Sequence, residues 1–115
     1  MARFPDAVQG GRYRAAMVTE LGLIDVIPGH REAFERDMAF AAEHIIGPSE
    51  GFLGYTPFGW GVEHPDRFMF LGRWETVEHH KVIFWNSPAL QAFVDLVGPH
   101  MDGPGAFEHY ALDAV

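Results

Sequence analysis

The stretch that most constrains this chain runs from Phe68 to Pro88. It reads Phe68-Met-Phe-Leu-Gly-Arg-Trp74, then Glu75-Thr76, then Val77-Glu-His-His-Lys-Val-Ile-Phe-Trp85, then Asn86-Ser87-Pro88. Its first part is rich in aromatic and large apolar residues, which suit a pleated, half-buried surface. Thr76 is a good helix N-cap, and Glu78 sets a carboxylate near the positive helix end. Ser87-Pro88 is a second start, because Ser caps and Pro fits the first helical position. A strand followed at once by two helix starts predicts a kinked helix pair laid across the end of a sheet. Chemistry is expected where that pair meets the sheet.

The remaining elements follow in order. Residues 1–16 carry Gly10-Gly11, Pro5 and scattered Arg without periodicity, and are expected to form a flexible arm, with an arm packed on a partner subunit as the alternative. Residues 17–115 are expected to form a single domain. Met17–Ile27 reads as a strand that is apolar on both faces: Val18, Ile24 and Val26 on one, Leu21 and Leu23 on the other. Glu20 and Gly22 interrupt the first face. A buried carboxylate there needs a partner, and Arg73 is the natural ion-pair candidate. After Pro28-Gly29, Phe34, Met38, Ala41 and Ile45 form the stripe of a helix that Gly47-Pro48 stops. Gly51–Trp60 reads as a strand with Phe52, Phe58 and Trp60 on one face and Leu53 and Tyr55 on the other. Pro57 predicts a bulge or an edge position for it. Arg67–Glu75 completes a hairpin. Helices are expected over Val77–Trp85 and Pro88–Val97, and a last strand over Ala106–Leu112.

The order β-α-β-β-α-(α)-β is the ferredoxin-like split βαβ, an α+β fold. It implies an antiparallel four-stranded sheet with helices on one face. Because the strands are apolar on both sides, the open face is expected to be buried in an isologous homodimer.

Composition removes several function classes. There is no Cys among the 115 residues, which excludes disulfides and thiolate chemistry. The net charge is −8, and three of the eight basic residues lie within the first 14 positions. Such acidity argues against nucleic acid and anionic membrane surfaces as partners. No apolar run is long enough to span a bilayer, and the N-terminus lacks the apolar core of a secretory signal. A cytoplasmic location is the resulting expectation. The seven His show no ligand spacing, so no metal site is expected.

The ordered set Ile27-Pro28-Gly29, Phe34, Glu50-Gly51-Phe52-Leu53-Gly54-Tyr55, His64-Pro65-Asp66-Arg67-Phe68, Arg73-Trp74-Glu75-Thr76, His80, Phe84, Ser87-Pro88, Phe93 and Glu108-His109-Tyr110 resembles the antibiotic biosynthesis monooxygenase family. The resemblance covers roughly Met17 to Leu112. It implies a dimeric α+β barrel and a cofactor-independent monooxygenase that oxidises an electron-rich aromatic, a phenol, quinol or polyketide-like compound, with O2. The superfamily also holds haem-degrading enzymes, cyclases and isomerases. Haem-degrading members carry an Asn, a Trp and a His where this chain places Gly22, Phe84 and Val94. Quinol-type members carry a His near Phe84, whereas this chain offers His79-His80 one turn earlier. Two other readings stay open: a non-redox cyclase or isomerase, and a non-catalytic small-molecule-binding or stress-related module.

His80 shares a helix face with Val77, Ile83 and Phe84 and is expected to face the sheet, where it can act as general base. The alternative is a structural His bonded to a carbonyl. His79 points further round, toward solvent. Tyr55 or His109 is expected to hold a substrate oxygen. Trp74, Trp85, Phe84, Phe58 and Trp60 are expected to wall an aromatic substrate, with ordinary core packing as the alternative.

Overall fold

The structure, a computed structural model, describes residues 17–112. The expected arm, residues 1–16, lies outside the described residues. The strands are β1 (Val18–Asp25), β2 (Phe52–Tyr55), β3 (Gly59–Trp60), β4 (Arg67–Trp74) and β5 (Ala106–Tyr110). The helices are α1 (Arg31–Ala41) and α2 (Pro88–Val97), with π-helical segments over Ala42–Ile46 and His79–Phe84. The sheet order is β2-β4-β1-β5, antiparallel throughout, with β3 also paired to β4. This is the ferredoxin-like α+β arrangement.

The sheet has five strands where the sequence predicts four. Pro57 has no N–H to give a ladder, so the run expected over 51–60 breaks into β2 and β3. A register shift between Phe52 and Gly54 adds a bulge at Leu53. One extra residue reverses every later side chain. Tyr55 therefore lies opposite Gly72, on the same face as Phe52, rather than beside Leu53. It stacks on Phe58 and Phe70, with ring centroids 5.7 and 5.8 Å away.

Residues directly opposite in antiparallel strands share a face. Glu20 lies opposite Gly72 and His109, and Gly22 opposite Phe70 and Phe107. That face meets the helices. Its core holds Val18, Ile24, Phe68, Phe70 and Trp74 from the sheet, with Phe34, Met38, Phe84 and Val97 from the helical side. A fully buried side chain such as Phe34 contributes about 3 kcal/mol of apolar burial. Arg73 lies opposite Thr19, so it sits on the other face and is not the partner of Glu20.

The π-helical segments shift two predicted stripes. An i→i+5 bond from the Gly47 N–H to the Ala42 carbonyl (3.0 Å) widens the turn after α1. Ile46, not Ile45, is thereby buried. In the second segment Ile83, expected to face the sheet, is exposed. At the start of α2 the Ser87 hydroxyl bonds back to the Phe84 carbonyl at 2.7 Å and caps nothing. Thr76 does cap: its Oγ accepts the His79 N–H at 3.1 Å.

Candidate active site

Burying Glu20 on the helix face is the costly feature of this fold, and the site is built around it. Glu20 is 4% exposed. Its Oε1 accepts the Trp74 indole N–H at 2.8 Å, across the β1–β4 pair. Its second oxygen has no hydrogen-bond partner among the described residues. Gly22, two residues on, leaves the space that the Phe107 ring fills; a Cβ there would come within 3.1 Å of that ring.

His80 reaches the same place from the helical side. Its ring stacks on Trp74 at 4.9 Å and 21°. The Trp85 indole N–H donates to His80 Nε2 at 3.2 Å, and His80 Nδ1 meets His109 Nε2 at 2.8 Å. This network fixes the tautomers. Nε2 accepts from Trp85, so the His80 proton sits on Nδ1 and is donated to His109.

The π-helical winding makes that network possible. Residues i and i+5 lie about 140° apart around an α-helix. Here the Trp85 backbone N–H bonds the His80 carbonyl at 3.2 Å, an i→i+5 closure that brings both side chains to one side.

Burial sets the electrostatics. Desolvation pushes the Glu20 carboxyl up to about 7, against the opposing Trp74 hydrogen bond and the Lys81 charge. Desolvation lowers His80 to about 3, helped by His109 and Lys81. His109 is lowered too, again first by burial. Glu20 Oε1 and His80 Nε2 are 3.7 Å apart, the spacing of a loose ion pair. Burial nevertheless holds His80 neutral and leaves Glu20 divided between its protonated and ionised forms near neutral pH. No imidazolium pairs with Glu20, because the Trp85 N–H already occupies the His80 nitrogen that faces it.

These groups form one wall of a cavity of about 180 Å³. Phe70, Phe84, Phe93, Leu90, Met38 and Phe107 supply most of the rest. Among its lining residues only Glu20 and His80 are ionisable. Trp85 and Val94 line it and are also solvent-exposed, so they mark its mouth.

Of the residues singled out in the sequence, His80, Trp74, Trp85 and Phe84 line this cavity, and His109 joins it through His80. Tyr55, Phe58 and Trp60 lie outside its lining. Trp60 donates its N–H to Glu35 at 2.7 Å and packs on Phe34 and Phe68. His79, expected in solvent, packs against Gly51, whose positive φ of 81° and missing Cβ admit the ring, and bonds the Thr76 hydroxyl at 2.7 Å. Glu20 lines this cavity and was not among the expected catalytic groups. The visible signal was a carboxylate on an otherwise apolar strand face.

Fold and cavity together define a ferredoxin-like α+β protein with a buried carboxyl in an aromatic cavity. The family model for antibiotic biosynthesis monooxygenases matches residues 17–96, and the chain belongs to that family. It is similar to a Bordetella bronchiseptica protein provisionally named an antibiotic biosynthesis monooxygenase. The two share 30% identity over 83% of this chain and 95% of that one, with a TM-score of 0.77. Proteins with the same provisional name from Caulobacter crescentus and Nitrosomonas europaea share the fold. The first has 18% identity, 89% and 94% coverage and a TM-score of 0.71; the second has 18%, 84% and 90%, and 0.70. Among curated proteins no match was found. Members of the family are typically dimers. No helix among the described residues is long and apolar enough to cross a membrane.

Proposed function

We propose that the protein is a cofactor-independent monooxygenase that oxidises an electron-rich phenol or quinol with O2 in the Glu20–His80 cavity. The observation that carries this reading is a buried carboxyl with a proton affinity near neutrality, facing an apolar cavity. Glu20 takes the hydroxyl proton. A base works best when its own pKa lies near the working pH, which favours Glu20 over His80. Phenols resemble Tyr, near pKa 10 in water, and raising Glu20 above the ordinary carboxylate range narrows the gap that the proton must cross. His80 stays neutral and, with Trp74 and Trp85, fixes the wall against which the ring lies.

The phenolate then passes an electron to O2, and the radical pair joins at an unsubstituted ring carbon as a hydroperoxide. Loss of water leaves a quinone. One oxygen atom enters the ring, the other leaves as water, and the substrate supplies all four electrons. The dry chamber keeps the anion poorly solvated and reactive. A cyclisation or isomerisation would use the same carboxyl without O2, and oxygen dependence separates the two.

The reading includes a cytoplasmic homodimer closed through the open sheet face. Leu21, Leu23, Met69 and Leu71 lie half-buried on that face, with the Asp25–Arg67 pair (2.8 Å) at the end of the same strands.

An oxygen electrode with metal-depleted protein and a panel of phenols and hydroquinones tests the activity. Uptake with quinone formation is expected, and Glu20→Gln should lower kcat by about 10²–10⁴. Uptake unchanged in Glu20→Gln removes the carboxyl from the chemistry.

A further inference from the structure

Size and charge of the chamber restrict what can enter it. An apolar cavity of about 150 Å³ holds one benzene ring, whereas pockets for drug-sized ligands run to about 300–1,000 Å³. The present cavity, about 180 Å³, falls at the single-ring end. Its walls leave little slack: Phe70, Phe84, Phe93 and Phe107 are all lining residues, and Phe107 is seated against Gly22. A second fused ring would have to displace one of them, which packed interiors resist, or stand out through the mouth at Trp85 and Val94 and lose burial.

Charge is restricted just as sharply. No Lys or Arg lines the cavity. Lys81 is exposed, with its amine over the outer Trp85 ring at 4.7 Å, so it stands outside the chamber. A carboxylate ligand would be desolvated beside Glu20 with no cation to receive it. One uncharged hydroxyl is what the open Glu20 oxygen can serve, and the indole N–H groups of Trp74 and Trp85 are already committed to Glu20 and His80.

We infer that the cavity selects an uncharged, single-ring phenol or hydroquinone and excludes fused-ring and carboxylated analogues. This rests on the reading of the cavity as the substrate site, but it is a statement about binding and is tested without turnover.

Anaerobic calorimetric titration of the full chain with phenol, p-cresol, 2-naphthol and 4-hydroxybenzoate is the experiment. Phenol and p-cresol are expected to bind, and the other two at least about tenfold more weakly, the scale on which apolar pockets discriminate by size. Phe93→Ala and, separately, Leu90→Ala open space on α2, and either should bring 2-naphthol to within a few-fold of phenol. Both residues are only half-buried, so two independent variants are expected to fold. Equal affinity of the wild type for 2-naphthol and phenol overturns the inference, as does tighter binding of 4-hydroxybenzoate or no phenol binding at all. Phenol binding without oxygen uptake would sink the monooxygenase reading and leave this selectivity standing.

Discussion

At the scale of residues, the decisive group is Glu20. A strand pattern shows that its side chain shares a face with Val18 and Ile24. It does not show which cross-strand residue lies beside it, because register is set by turns and packing far along the chain. The structure puts Gly72 and His109 opposite Glu20 and sends Arg73 to the other face. An expected ion pair thus becomes a carboxyl held by one indole N–H. The consequence for stability has a definite sign. Between pH about 4.5 and 7 the folded state holds a Glu20 proton that the unfolded chain has lost, so the Glu20 contribution falls as pH rises through that window. Above it the penalty is constant, at roughly 3 kcal/mol. Glu20→Gln, which can still accept from Trp74, should therefore match the wild type in urea unfolding near pH 4.5. Near pH 8 it should exceed the wild type by up to about 3 kcal/mol. His80 acts in the opposite direction: it is lowered to about 3, so its neutral burial weakens the fold as pH drops below about 6.5. That term is common to both proteins and cancels in the comparison.

At the scale of elements, the α1 helix, the α2 span and the order of the hairpin were legible, because apolar spacing and Gly/Pro stops report them directly. What spacing does not report is winding. Both helical segments that precede a change of direction are π-helical, Ala42–Ile46 and His79–Phe84. A period of 3.6 residues therefore misassigns Ile45 and Ile83. The same winding turns Trp85 onto His80 and so assembles the site, which helical counting from His80 could not reveal. Substitution separates the two windings. Ile46→Ala should destabilise by about 3 kcal/mol and Ile45→Ala by about 1, read from urea midpoints. Continuous α-helix would give the reverse order. Strand parity failed for the same kind of reason. The Leu53 bulge moved Tyr55 into an aromatic row with Phe58 and Phe70, away from the cavity it was expected to serve.

At the scale of the whole molecule, one sheet face builds the chamber and the other remains half-covered. The α+β order was readable from the sequence because the element sequence leaves few topologies. The chamber was not, since it arises where β1, β4, β5, the second π-helical segment and α2 converge. If the open face closes a homodimer, Leu71→Asp should give a monomer in light scattering while wild type runs as a dimer. A monomeric wild type would remove that assembly. The central claim is that the chamber inserts one atom of O2 into a phenolic ring without a resident cofactor. Reaction of metal-depleted protein with a single-ring phenol under ¹⁸O2, followed by mass analysis of the quinone, tests it most directly. One labelled oxygen per quinone, with the other recovered as water, is the predicted result. An unlabelled product, or no product with the substrate bound, would contradict it.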